Sequence, residues 1–154
     1  MPIKSYAGLE EIIITKLEAL EGADSTDLFA GVYDILETEP EGYPCAYVVP
    51  KTGGGQIIDT HRNEREWQFD IFLHVEINAN RTPSQAKDAL YDAADRVIEA
   101  FDQDPMLLDE NSQAQCKWVR VVPTDFLWGV QNGAFHEAKL VVAIVDIVNR
   151  YVEP

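Results

Sequence analysis

The sequence predicts an α+β fold, in which two helices pack on one face of a mainly antiparallel sheet of about five strands. Two segments, 5–22 and 82–104, repeat apolar residues at helical spacing, whereas residues 66–77 alternate apolar and polar side chains. The closing stretch, 135–152, is strand-like throughout. With 154 residues, 46% of them hydrophobic, the chain is expected to form a single domain spanning 1–154.

The chain is strongly acidic, with 27 acids, 12 bases and a formal net charge of -15. Residues 1–41 hold ten acids and two bases, and residues 82–110 hold eight acids and two bases, so the excess lies in the predicted helical parts. This charge disfavours nonspecific binding to nucleic acid or to an anionic membrane. Two explanations stay open: solvated faces that keep the protein soluble, or a surface that repels DNA or meets a basic partner.

The first helix is predicted to begin after Ser5, a plausible N-cap, and to end near Gly22. Strands are then predicted at 29–36 and 45–49. The segment between them, 37–44, contains prolines and a glycine that exclude regular structure.

Residues 51–65 are predicted to form a hairpin loop that projects from the domain. The loop is glycine-rich and locally basic, but its glycines precede a strand, which does not fit a phosphate-binding loop. Two interpretations stay open: a flexible hairpin tip, or a segment that becomes ordered against the acidic surface of a neighbouring subunit. The candidate interface residues in this loop are Lys51, Ile57, Ile58, Arg62 and Arg65.

The second helix is predicted to begin at Thr82, because Gln85 stands three residues later, where a capping box requires it. Near its end lie Asp102 and Asp104, where the helix dipole makes an acid unfavourable by ~0.3–1 kcal/mol. Local stability does not explain these two acids, so they are candidate interface partners for the basic loop.

The C-terminal part is predicted to contain a strand at 118–122, a turn-rich stretch at 123–133 and a last strand at 135–152. That last strand would extend about 55–60 Å at roughly 3.3 Å per residue, which suggests a bend or a projection beyond its own subunit. Both of its faces are apolar at 140–145, which indicates cover on both sides. The predicted core comprises Leu9, Ile13, Leu17, Trp67, Phe69, Ile71, Leu73, Leu90, Val97, Phe101, Trp118, Leu140, Val142 and Ile144.

No motif in the sequence indicates catalysis, and we expect no enzyme activity, no cofactor and no metal site. Cys45 and Cys116 are interpreted as buried thiols of a protein that folds in a reducing cytoplasm. His61, His74 and His136 are widely spaced and are interpreted as surface histidines. No signal core and no stretch long enough to span a bilayer is found in the sequence, so no membrane contact is expected.

The order of elements resembles the tail terminator (tail completion) proteins of long-tailed bacteriophages, the family that includes the minor tail protein U of phage lambda. A short helix leads into 29–33, and an acidic loop then reaches the strand 43–49, which is similar to the family's aromatic-proline-small-x-valine strand. A long hairpin feeds 67–77, the helix 86–101 follows, and antiparallel strands close the chain. The resemblance covers nearly the whole chain as an order of elements.

This resemblance implies a virion protein whose subunits form a hexameric ring on the tail tube, stopping tube growth and offering a surface for head attachment. Its implied partners are copies of itself, the tail tube protein on one face and a neck or head-completion protein on the other. DNA would pass through the ring without specific binding, and assembly would take place in the host cytoplasm.

Three alternatives stay open. Neck proteins that connect head to tail are similar in size and layout. A small non-catalytic binding module would use the loop 51–65 to contact a ligand. An enzyme would need two carboxylates in a cleft with divergent pKa values.

Overall fold

The computed structural model of the protein describes residues 5–36, 38–52, 55–57 and 62–149. Its elements in chain order are α1 (Tyr6–Glu18), β1 (Gly31–Tyr33), β2 (Cys45–Lys51), β3 (Gly55–Ile57), β4 (Arg62–Glu76), α2 (Pro83–Asp102), β5 (Trp118–Gly129), α3 (Val130–Gly133) and β6 (Phe135–Asn149).

The sheet has the strand order β1-β2-β4-β6-β5, and β3 pairs with the first residues of β4. The β1–β2 pair is parallel and the other pairs are antiparallel. β4 and β6 pair along their whole length, from Arg62 opposite Asn149 to Glu76 opposite Phe135. This confirms the predicted α+β fold, and it leaves β1 and β5 as the two lateral edges of the sheet.

Both long helices begin with the caps that the sequence predicts. The Ser5 side chain accepts a hydrogen bond from the Gly8 backbone N–H at 3.1 Å, and Thr82 and Gln85 form a reciprocal capping box. α1 ends at Glu18, one turn earlier than predicted.

The core lies between the two long helices and one face of the sheet, which we call the helix-facing face. Alternation along β4 puts Trp67, Phe69, Ile71, Leu73 and Val75 on this face, where all are buried. The predicted core is confirmed with the exception of Trp118, which is only partly buried. That assignment was wrong by one residue.

The register of β5 against β6 explains why Trp118 was wrongly assigned to the core. Val119 pairs with Ile144 and Val121 with Val142, so these two valines face the helices. Since strand side chains alternate, Trp118 points to the opposite, helix-free face of the sheet.

Several strand boundaries also differ from the prediction. β1 covers only three residues of the predicted strand 29–36. The predicted loop 51–65 is partly strand, because Gly55–Ile57 pairs with the start of β4. β6 ends at Asn149 in the described residues, and residues 150–152 of the predicted last strand lie outside them.

The largest correction concerns residues 123–133, which are not simply turn-rich. β5 continues to Gly129 through a bulge: Pro123 pairs with Leu140 and Asp125 with Lys139, so Thr124 is an extra residue. The extra residue reverses the alternation, and Phe126, opposite Ala138, therefore lies on the helix-facing face.

A tight turn joins β5 to β6. The four residues of α3 include Gln131 and Asn132, both with positive φ, so this element is a left-handed turn rather than a true helix.

Candidate subunit interfaces

The base of the predicted hairpin loop is anchored to the body of the subunit at Lys51. Its carbonyl oxygen accepts a hydrogen bond from the Tyr6 hydroxyl at 3.1 Å. Its ammonium lies 4.0 Å from Oδ1 of Asp70, whose Oδ2 lies 3.7 Å from Nζ of Lys139. One carboxylate on the helix-free face is therefore flanked by two lysines, and part of the basic charge is balanced within the subunit.

Three other candidate residues of this loop, Ile57, Arg62 and Arg65, lie in strands at the same end of the sheet. Arg65 is exposed on β4 and pairs with Gly55 through the backbone. Ile57 lies in β3 and Arg62 is the first residue of β4, whereas Ile58 lies outside the described residues. Lys51 and Arg65 therefore lie at the same end of the sheet but on opposite faces, since Lys51 is beside Asp70 and Arg65 alternates in phase with Trp67.

The two aspartates after α2 differ in their surroundings. Asp104 forms an ion pair with Lys16, with 2.9 Å between Oδ2 and Nζ, and its Oδ1 accepts a hydrogen bond from the Leu108 backbone N–H at 2.9 Å. Asp102 is exposed at the end of the helix.

Asp104 therefore has a structural role within its own subunit, through a tertiary ion pair that lies outside the local helix-end argument. Partial burial acts to raise the pKa of Asp104, but the hydrogen bond from Leu108 and the charge and hydrogen bond of Lys16 outweigh it, so its pKa is lowered. Its negative charge is largely balanced within the subunit.

An exposed cluster of aromatic rings lies where α2 and the second half of β5 meet, and we call it the aromatic patch (Lys87, Tyr91, Phe126 and Trp128). Ring centroids are 5.5 Å apart for Tyr91 and Phe126, 5.9 Å for Tyr91 and Trp128, and 5.8 Å for Phe126 and Trp128. The Lys87 ammonium lies 5.6 Å from the Tyr91 centroid and 5.7 Å from the Trp128 centroid.

These rings contact each other and the protein beneath them, yet they remain open to solvent. Trp128 is 47% exposed and Tyr91 is 40% exposed. On its inner side Trp128 meets the ring of His136 edge-on at 5.0 Å. Large aromatic side chains that are held in place and half exposed are typical of protein-binding surfaces.

The sequence interpretation missed the aromatic patch because it ended the strand before Pro123. The available signal was the spacing of Phe126 and Trp128, two residues apart, together with Lys87 and Tyr91, four residues apart on a helix.

The opposite lateral edge of the sheet carries apolar side chains among acids, and we call it the acidic edge (Asp34, Ile35, Leu36, Glu39 and Glu41). Ile35 is 53% exposed and Leu36 is 43% exposed, and the three acids are exposed as well. It directly follows β1, the edge strand.

The helix-free face of the sheet contains a polar pair formed by the buried His74 and the partly buried Glu137. His74 and Glu137 pair across β4 and β6, with 2.7 Å between Nε2 and Oε2. The His74 ring stacks on Phe135 at 4.3 Å and lies 5.1 Å from the Tyr47 ring. The interpretation of His74 as a surface histidine was wrong, because these rings cover it.

His136 is also buried, and it too was wrongly interpreted as a surface residue. Its Nε2 lies 3.0 Å from the Pro83 carbonyl oxygen, and its Nδ1 accepts a hydrogen bond from the Gly129 backbone N–H at 3.0 Å. This imidazole ties the start of α2 to the turn after β5. His61 lies outside the described residues.

Cys45 and Cys116 are both buried, as predicted. Burial raises the pKa of the Cys45 thiol to about 11, although a hydrogen bond with Tyr47 acts in the opposite direction. Cys45 is therefore held as an unreactive thiol at neutral pH.

A groove of about 660 Å³ runs between α1 and the loop that follows α2. It is lined by acidic and apolar side chains, and the Lys16–Asp104 ion pair lies within it. Within the described ranges, no group of three or more His, Cys, Asp or Glu side chains is arranged to hold a metal ion. None of the helices in the described part of the chain has the length and apolar character needed to cross a membrane.

Comparison with known proteins adds a likeness of fold. No protein-family profile matches the chain, and no curated protein shows significant sequence similarity to it. Among solved structures, the chain is similar to one from the virion of a native gene transfer agent (GTA) particle, with a TM-score of 0.56 and 18% sequence identity. The match covers 92% of this chain and 98% of that chain, so the two share the fold over nearly their whole lengths.

Proposed function

We propose that this protein is a structural component of a phage-like virion and that it forms a ring at the end of the tail tube. The resemblance to tail terminator proteins implies that this ring contains six subunits. There it terminates growth of the tube and provides the surface to which the neck attaches. Its work is done through protein contacts and involves no catalysis. Its location is the virion, after assembly in the host cytoplasm.

The observation that carries this proposal is the full-length likeness of fold to a virion chain of a gene transfer agent particle. That likeness agrees with the order of elements, which resembles phage tail terminators. One line compares the backbone fold and the other compares the sequence pattern.

The structure supplies features that a closed ring needs. Head-to-tail contacts in a ring join two different surfaces of the subunit. The two lateral edges of this sheet differ in chemistry: one presents aromatic rings and a lysine, the other presents acids with exposed aliphatic side chains.

The acidity of the chain suits a channel for DNA. A net charge of -15 makes stable contacts with phosphates unfavourable, so DNA can pass an acidic wall without being retained. The tail tube protein on one face and a neck or head-completion protein on the other are the proposed partners.

A neck protein that joins head to tail is the second candidate, because the same likeness to a virion chain supports it equally. The two candidates differ in what they bind, since a terminator binds the end of a tail tube and a neck protein binds the head side.

The test is the mass of the purified full-length protein, measured by light scattering over a range of protein and salt concentrations, with electron microscopy of the same samples. We expect an assembly of six times the 17.3 kDa of the chain, in equilibrium with the monomer and weakened by salt. The protein is then mixed with tail tubes, which should become capped by rings. A protein that stays monomeric in solution and also fails to bind tube ends would contradict the proposal.

A further inference from the structure

We propose that the aromatic patch of one subunit docks onto the acidic edge of a second copy, and that this contact joins neighbouring subunits head to tail. The inference rests on the proposed ring and names the surfaces that build it.

The positions of the two surfaces fit such a contact. The aromatic patch lies along β5 and the acidic edge follows β1, and these strands are the opposite edges of the sheet. Surfaces on opposite sides of a subunit allow each copy to contact a different neighbour on either side, which is the requirement for a ring.

The apolar parts of the two surfaces are complementary in kind. The patch offers the rings of Tyr91 and Trp128, and the acidic edge offers Ile35 and Leu36, all at least 40% exposed. Tryptophan and tyrosine are the residues most enriched at the energetic centres of interfaces, where they fill apolar sites on the partner. Among the residues that the structure describes, these four side chains remain at least 40% exposed.

The charges are complementary as well. Lys87 stands directly over the rings, and segment 34–41 contains four acids and no base. On α2, Asp92 is paired with Arg96 at 2.9 Å, and Asp95 follows one turn beyond Tyr91, away from Lys87. Asp125 lies opposite Lys139 in the strand register and points to the helix-free face. Its charge is therefore on the other side of the sheet from Lys87.

A symmetric contact of the patch with itself is disfavoured. It would bring the two Lys87 ammonium groups together over the same rings, where like charges repel. Pairing of β5 with another strand edge is disfavoured too, since Pro123 lacks an N–H group and Thr124 forms a bulge. A side-chain contact with the acidic edge remains the favoured arrangement.

The experiment is a charge exchange with rescue. In the full-length protein, Lys87→Glu and Glu39→Lys are each expected to weaken self-association by about tenfold or more, and the double variant is expected to recover most of that loss. The control is Lys117→Glu, which makes the same charge change on an exposed lysine that lies outside the patch and pairs with Glu64. Thermal melts establish that every variant is folded.

A second measurement locates the contact directly. With p-benzoylphenylalanine in place of Trp128, irradiation is expected to link this position to a peptide within 31–41 of another copy. The inference would be overturned if the oligomer forms normally but the cross-link reaches another segment, or if neither charge change affects self-association. Either result would leave the proposed oligomeric ring intact. If neither an oligomer nor an intermolecular cross-link forms at any protein concentration or on tail tubes, both proposals are wrong.

Discussion

The Nζ of Lys16 lies 2.9 Å from Oδ2 of Asp104, and this ion pair joins α1 to the loop that follows α2. The same lysine lies 5.5 Å from the centroid of Phe101, a fully buried residue at the end of α2. The pair therefore connects α1 to a loop residue that lies 88 positions later in the chain.

Replacing this carboxylate gives a pH-dependent prediction. At pH 7, Asp104→Asn should lower the free energy of unfolding by about 1 kcal/mol, because the ion pair is lost while an oxygen remains to accept the bond from Leu108. The pKa of Asp104 is lowered by folding, so the stabilisation is present above its ordinary value of 3.8 and disappears as the pH falls through the lowered folded value.

Urea unfolding of both proteins from pH 7 downwards measures this difference. The two stabilities should converge in acid, and a difference that stays constant with pH would contradict the assignment. Asp102→Asn is the matched control, since its exposed side chain should change stability by no more than about 0.5 kcal/mol.

The partly buried pair His74–Glu137 gives a second prediction. Glu137→Ala should cost about 1–3 kcal/mol of unfolding free energy, because it leaves the partly buried imidazole without its hydrogen-bond partner. Replacing both residues, with His74→Phe and Glu137→Leu, should cost less than the single change, since no polar group is then left buried. Denaturant unfolding of the unchanged protein and of the two variants tests this order, and a double variant less stable than Glu137→Ala would refute it.

The two faces of β4 should respond differently to truncation. Phe69→Ala removes a fully buried ring and should cost ~3–5 kcal/mol. Phe72→Ala, on the helix-free face of the same strand, should cost about 1 kcal/mol, because that ring is only partly buried. Thermal or urea melts compare the two, and equal losses would mean that the helices do not define the core of the sheet.

The basic residues near the hairpin remain candidates for assembly. Replacing Lys51, Arg62 and Arg65 together by serine should leave the subunit folded while weakening assembly, which light scattering would detect as a lower mass. The ion pair of Lys51 with Asp70 makes a small loss of stability expected, of about 0.2–1 kcal/mol. An unchanged oligomer would remove this surface from the interface.

Much of the fold could be predicted because local rules and tertiary structure agree. The alternation of residues 66–77 identified β4 and its buried face, and the capping box at Thr82 located the start of α2. The aromatic patch could not be predicted in the same way. A proline usually argues against a strand, and only the sheet order shows that Pro123 lies on an edge strand, where no ladder hydrogen bond is needed from it.

The two histidines show a second limit. Alternation correctly separated the faces of β4, but it could not show that Tyr47 and Phe135 from neighbouring strands cover His74 on the helix-free face. Whether residues distant in sequence bury a side chain depends on the register between strands. The sequence pattern of a single strand does not reveal that register.

The place of β6 in the sheet has a consequence for how the subunit is made. This strand follows all the others in the chain, yet it lies between β4 and β5 and carries Leu140, Val142 and Ile144 into the core. Contacts between residues so distant in sequence form slowly during folding. The chain between them must first be brought into a closed loop, and this costs entropy before the contacts can stabilise the fold. During synthesis the ribosome must therefore release residues 135–149 before the core can close, and a nascent chain that stops short of them has no completed sheet with which to join an assembly.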